Sequence, residues 1–155
     1  MIIGCTKEDS ELRLSDFGVP TIRGYNMRDL FGDYAGTVGT PNIKPGDGAD
    51  YYFVFYPNPV EDFCSIYIKT PASNELKKLW ITPANFDNNI TNSSINLNNA
   101  NNIVIGGSPV FQTEFTNNKL TLNLSQVSDG YYRIYLEVDN YLLYDNLVIY
   151  KLIEY

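Results

Sequence analysis

The fold is decided near the C-terminus by the stretch YYRIYLEVDNYLLYDNLVIYKL, residues 131–152. Its first eight residues are rich in tyrosine and branched aliphatic side chains, which favour a β-strand. Asp139-Asn140 is typical of a turn. The nearly continuous apolar run from Tyr141 to Leu152 then predicts a closing strand that is covered on both faces of its sheet.

Further strands are predicted upstream, each bounded by turn residues such as Pro57-Asn58-Pro59 or Asn117-Asn118. These predicted strands cover residues 51–56, 63–69, 76–82, 103–105, 110–115 and 120–124. Seven or eight short strands separated by regular turns are typical of a β-sandwich. We therefore expect an all-β fold with a single antiparallel, immunoglobulin-like β-sandwich.

The first 50 residues have a different character, because ten glycines and prolines fall between residues 18 and 48. Such a density of breakers prevents long regular elements, and residues 26–31 are expected to form at most one short helical turn. The sequence therefore predicts two parts. Residues 1–50 are an irregular N-terminal tether segment, and residues 51–155 are the β-sandwich domain.

The charge balance excludes one large class of partners. The chain carries 11 lysines and arginines against 18 acidic residues, which is a formal net charge of −7. Affinity for nucleic acids depends on cationic side chains that neutralise phosphates, and no basic stripe is present. We expect no nucleic-acid partner.

Histidine is absent from the chain, which removes the most common general acid–base group and metal ligand. No nucleophile motif, phosphate-binding loop or metal cluster is recognisable, so we expect no enzyme and no cofactor. Asp47 and Asp50 are expected to be ordinary turn residues and not calcium ligands. Cys64 lies within a predicted strand and is expected to be a small buried residue and not a disulfide partner.

The N-terminus carries two short signals. Ile2-Ile3-Gly4-Cys5 resembles a bacterial lipobox, and Cys5-Thr6-Lys7-Glu8-Asp9 resembles the surface-export signal of Bacteroidota lipoproteins. The resemblance implies that Cys5 carries the lipid and that Lys7, Glu8 and Asp9 direct export. It also implies an outer-membrane protein that is lipid-anchored and exposed at the cell surface.

The sandwich has a resemblance of its own. Tyr56-Pro57-Asn58-Pro59, together with the later stretch LNLSQVSDGYY at residues 122–132, is similar to motifs of the C-terminal sorting domain of type IX secretion cargo. Two departures stand out, because residues 85–118 are longer than that family's usual hairpins and the C-terminus lacks its usual basic residues. We interpret the sandwich as a relative of this fold that is kept for binding.

The preferred functional hypothesis is a non-catalytic accessory or docking subunit of an outer-membrane protein complex, such as a nutrient-uptake, barrel-assembly or secretion machine. Phe17, Tyr25, Phe31 and Tyr34 are the candidate partner-binding residues, because spaced aromatic side chains in an irregular segment are ordered most readily against another protein.

Two alternatives remain at this stage. The first is a glycan-binding surface module that uses Tyr131 and Tyr135, which strand alternation places together on the face opposite Tyr132. The second is a sorting domain like that of type IX secretion cargo.

Overall fold

The computed structural model describes residues 18–87 and 106–152, and no helix occurs among them. These residues form an all-β structure in which two four-stranded antiparallel sheets enclose one core, consistent with the expected β-sandwich. The strands are β1 Thr21–Ile22, β2 Gly24–Arg28, β3 Tyr34–Gly39, β4 Gly46–Asp47, β5 Tyr51–Tyr56, β6 Phe63–Lys69, β7 Lys77–Pro83, β8 Asn85–Phe86, β9 Phe111–Phe115, β10 Lys119–Asn123, β11 Gly130–Val138 and β12 Tyr141–Ile149.

The first sheet has the strand order β10-β6-β5-β4. Its strands alternate strictly between the two faces, as β6 shows, where Cys64, Ile66 and Ile68 are buried while Phe63 and Tyr67 are exposed. This alternation means that one face of the sheet lies on the core and the other faces solvent.

The second sheet has the order β12-β11-β7-β9. Its central strands do not alternate, because five consecutive residues of β11, from Tyr132 to Leu136, are buried, and so are five of β12, from Asp145 to Ile149. Both faces of the sheet are therefore covered along these parts of β11 and β12, as the continuous apolar run predicted for the closing strand. The core between the sheets is built from Phe53, Phe55, Ile66, Leu79, Ile81, Ile134, Leu136, Leu143 and Leu147, among others.

The N-terminal segment is more regular than expected. It contains β1 to β4, each of two to six residues. β2 and β3 form a hairpin with an irregularity at Met27/Arg28, and β4 pairs with β5 at the edge of the first sheet. The predicted helical turn at residues 26–31 is wrong, because Asn26 to Arg28 continue β2. The glycines and prolines shorten the strands without preventing them.

The turn Pro57-Asn58-Pro59 and the residue after it cover the edge of β12 that does not pair with β11. Asn58 is buried, donates hydrogen bonds from Nδ2 to the carbonyls of Asn26 (2.7 Å) and Asn146 (3.1 Å), and accepts one at Oδ1 from the Val148 amide (3.0 Å). Val60 continues this contact, since its amide donates to the Val148 carbonyl. One buried asparagine thus joins the hairpin, the corner and the edge strand.

The strand predictions are confirmed within the described residues, and every start and end agrees to within one residue except the end of the closing strand. The strands at 51–56 and 63–69 have the expected bounds, while the closing strand ends at Ile149 and not at Leu152. The predicted strand at 103–105 lies outside the described residues.

Candidate functional site

The tip of the β2–β3 hairpin presents two apolar side chains to solvent. Leu30 is 75% exposed and Phe31 is 84% exposed. Their loop is held by Asp29, whose Oδ1 accepts hydrogen bonds from the amides of Phe31 (2.8 Å) and Asp33 (3.0 Å). Gly32 adopts a φ of 90°, which favours glycine. The loop is therefore preorganised around an aspartate, with both apolar side chains directed outward.

The loop end of β2 is fixed by an ion pair between Arg28 and Asp145 at 3.1 Å. Arg28 also donates to the Phe55 carbonyl and lies over the Phe55 ring, while the Asp145 side chain is fully buried. Burial raises the pKa of the Asp145 carboxyl, and the Arg28 guanidinium opposes that rise. The pair thus ties the hairpin to the interior of the sandwich.

A polar network lies beneath the N-terminal segment, on the outer face of the second sheet. Asn146 Nδ2 donates to the Gly24 carbonyl (2.7 Å) and to Asn42 Oδ1 (3.0 Å). Arg133 is buried, donates to Asn146 Oδ1 (3.2 Å) and to the Asn42 carbonyl (3.1 Å), and lies over the Tyr144 ring. These contacts hold the segment on the sheet through specific polar partners.

The predicted partner-binding residues fall into three groups. Phe31 and Tyr34 are exposed on the hairpin, and Tyr34 also exchanges a hydrogen bond with Thr37. Tyr25 is half-buried, with its ring 6.3 Å from that of Phe86. Phe17 lies outside the described residues. Leu30 was not among the predicted partner-binding residues, although an apolar pair between Asp29 and Gly32 in a turn sequence is an available signal.

The predicted glycan-binding tyrosines do not form a shared platform. Tyr131 and Tyr135 do lie on the face opposite Tyr132, but Tyr135 is 0% exposed and stacks on Trp80 with ring centroids 5.1 Å apart. Tyr131 stacks on Phe86 at 4.6 Å. As placed, Tyr135 offers no free ring face to a sugar, because this face of the second sheet is covered.

A cavity of about 560 Å³ lies on the same outer face, beside Trp80. Its charged side chains come from one row across the sheet, in which Lys78 pairs with Glu137 on one side and Glu114 on the other. The signs of charge alternate within this row. Two glutamates flank a single lysine, so the row carries a formal net charge of −1 and does not favour an anionic ligand.

One titratable cluster escaped the sequence analysis because its members come from distant strands. Tyr51 donates a hydrogen bond to Asp139 Oδ2 (2.9 Å), and the Glu75 carboxyl hydrogen-bonds with Asp139. This contact raises the pKa of Glu75, and desolvation with the Asp139 contact raises the pKa of Tyr51 to about 12. Lys77 is buried between the carbonyls of Glu75 and Thr116, and burial lowers its pKa. The cluster joins the two sheets at one end of the sandwich.

The remaining predicted residues are quickly placed. Cys64 is a free thiol in the core, as expected, and burial raises its pKa to about 12. Cys5, Lys7, Glu8 and Asp9 lie outside the described residues. Asp47 pairs with Lys44 at 3.0 Å. In residues 18–87 and 106–152, no three histidine, cysteine or acidic side chains are grouped as metal ligands, and no helix has the length and apolar character of a membrane span.

Comparison of the chain with protein-family models, with curated proteins and with solved structures found no match. The functional argument therefore depends on the residues of this chain.

Proposed function

We propose that this chain is a non-catalytic surface lipoprotein that docks on an outer-membrane protein complex through the tip of its N-terminal hairpin. The observation that carries the proposal is the exposure of Leu30 and Phe31 on a loop that Asp29 holds in one conformation. Loop tips are usually polar, and adjacent exposed apolar side chains mark interaction sites when they are presented together.

Preorganisation is the physical reason for assigning docking to this tip. Binding costs free energy when a loop must be ordered, and a loop that is already fixed avoids that cost. β2 adds rigidity next to the loop, because its residues Asn26 and Arg28 are joined to the buried groups Asn58 and Asp145. A phenylalanine that enters a partner's pocket with a leucine beside it is a typical anchor at the centre of an interface.

The membrane location in this proposal comes from the N-terminal signals. Cys5 would carry the lipid, with Lys7, Glu8 and Asp9 as the export signal. The 13 residues from Cys5 to Gly18 span at most about 45 Å when extended. The hairpin would then stay close to the outer leaflet, where a β-barrel and its lipoproteins are available. The absence of histidine from the chain supports the non-catalytic part of the proposal.

The test uses the full-length lipidated protein, purified in detergent from outer membranes after chemical cross-linking. We expect it to retain an identified outer-membrane protein in fixed proportion, and the double variant Leu30→Ser/Phe31→Ser to lose that protein while remaining folded. Leu76→Ser is the matched control, because Leu76 is also exposed but lies away from the hairpin. Cys5→Ser should release the protein from the membrane.

Two results would contradict the proposal. One is a wild-type protein that is cross-linked to no outer-membrane protein. The other is a double variant that retains the partner as well as Leu76→Ser does.

A further inference from the structure

The outer face of the first sheet is open and aromatic. Tyr52, Phe63 and Tyr67 project from it, with exposures between 41% and 60%. In an alternating strand these positions are usually polar, because they gain nothing from burial in the core. Packing within the described residues therefore does not account for three large aromatic side chains on this face.

A groove of about 250 Å³ crosses this face between two tyrosines. Its floor consists of Ser65 and Thr121, which are directly opposite each other on β6 and β10. Tyr56 and Tyr67 line its sides, and Lys119 pairs with Tyr67 in the strand register. The groove thus combines aromatic walls, a floor of hydroxyl groups and one ammonium group.

One wall of the groove is held in place by the hairpin. Gly32 lies so close to the Tyr56 ring that a Cβ at residue 32 would be 3.0 Å from Tyr56 Cδ1. A side chain at residue 32 would displace the ring by a few tenths of an ångström, and the φ of 90° at this position also favours glycine. The Tyr56 ring is therefore supported on one side.

The charge of this face is opposite to that of the chain as a whole. The strand positions on it carry Lys69 and Lys119 and no carboxylate, whereas the chain has a net charge of −7. Within residues 18–87 and 106–152, neither lysine has an ion-pair partner. A ligand that carries negative charge is therefore favoured here over the rest of the surface.

We infer that this groove binds a glycan that contains acidic sugars, with a uronate as the sugar that the groove holds. The apolar face of a pyranose ring stacks on Tyr67, and its hydroxyl groups exchange hydrogen bonds with Ser65 and Thr121. Its carboxylate accepts a charged hydrogen bond from Lys119. The groove is smaller than the about 300–1,000 Å³ typical of pockets for whole drug-sized ligands, which suits one ring of a chain lying across an open face.

The probe is a hexamer of galacturonic acid, titrated into the protein by calorimetry at low salt, with a neutral galactose hexamer for comparison. We expect the acidic hexamer to bind at least about tenfold more tightly than the neutral one, and added salt to weaken its binding. Tyr67→Ala should weaken binding about tenfold or more. Lys119→Gln should abolish the preference for the acidic hexamer.

Matched controls separate the groove from the rest of the surface. Tyr150→Ala removes another exposed tyrosine, and Lys78→Gln removes an exposed lysine of the second sheet. Both variants should bind like the wild type. No measurable binding of the acidic hexamer, equal binding of the neutral one, or unchanged binding by Tyr67→Ala and Lys119→Gln would overturn the inference.

Discussion

The outer faces of the two sheets differ in their exposure to solvent, although both sheets consist of antiparallel strands. In the first sheet, residues that point to solvent alternate along the strands with residues that point to the core. Tyr52 and Tyr67 on its outer face are therefore exposed. Part of the outer face of the second sheet lies under the N-terminal segment, and its residues are buried whether they are apolar, such as Tyr135, or polar, such as Arg133 and Asn146.

The two outer faces should therefore differ in how much they contribute to stability. A covered face contributes apolar burial and satisfied hydrogen bonds to folding. A bare face contributes little to folding, so its side chains are free to serve binding. Substitutions of the same residue type on the two faces should therefore have very different effects.

The largest expected difference concerns two tyrosines. Tyr135→Ala should lower the free energy of unfolding by about 3–5 kcal/mol, because it removes a fully buried aromatic ring from contact with Trp80. Tyr67→Ala should lower it by less than about 1 kcal/mol, because the ring is 42% exposed. Urea unfolding followed by the fluorescence of Trp80, the only tryptophan, measures both. Equal losses would show that the two faces are energetically alike.

Much of this contrast is visible in the sequence. Residues 63–69 alternate between buried and exposed positions, whereas the continuous apolar run that begins at Tyr141 predicted a covered sheet. The sequence did not predict that the N-terminal segment covers part of this sheet. β1 and β2 have only two and five residues, so local propensity is weak there. Their position depends on hydrogen bonds to Asn146 and Asn42 from distant parts of the chain.

A smaller expected effect concerns how the N-terminal segment is anchored to the sandwich. Arg28→Met leaves the buried Asp145 without its partner and should cost about 3 kcal/mol, at the lower end of the range for a broken buried pair because the raised pKa of Asp145 lets it take up a proton. Lys44→Met breaks a pair that is more than a third exposed on both sides and should cost less than about 1 kcal/mol. Protease cleavage within residues 18–50 should accelerate for Arg28→Met alone. If Arg28→Met is cleaved at the wild-type rate, the hydrogen bonds of Asn146, Asn42 and Arg133 are enough to hold the N-terminal segment on the sheet.

The candidate site was only partly predictable for the same reason. Phe31 and Tyr34 were identified as partner-binding because they are aromatic, and they are exposed. Tyr135 was identified on the same basis, yet it is buried. Alternation assigns a tyrosine to a face, but only the fold determines whether that face is covered.

The smallest expected effect concerns the contact that joins the two sheets at Glu75, Asp139 and Tyr51. It tests whether the two sheets unfold as one cooperative unit. The pKa of Glu75 is raised in the folded state, chiefly by its hydrogen bond with Asp139. Its contribution to stability is therefore fully present below the unfolded pKa of about 4.3 and is lost as the pH rises through the folded value. Glu75→Gln keeps a donor to Asp139 that does not titrate. The stability of the wild type relative to this variant, measured by urea unfolding, should fall as the pH rises from 4 towards neutrality, with both sheets unfolding in one transition. A difference in unfolding free energy that does not change with pH would show that the pKa of Glu75 is not raised in the folded protein.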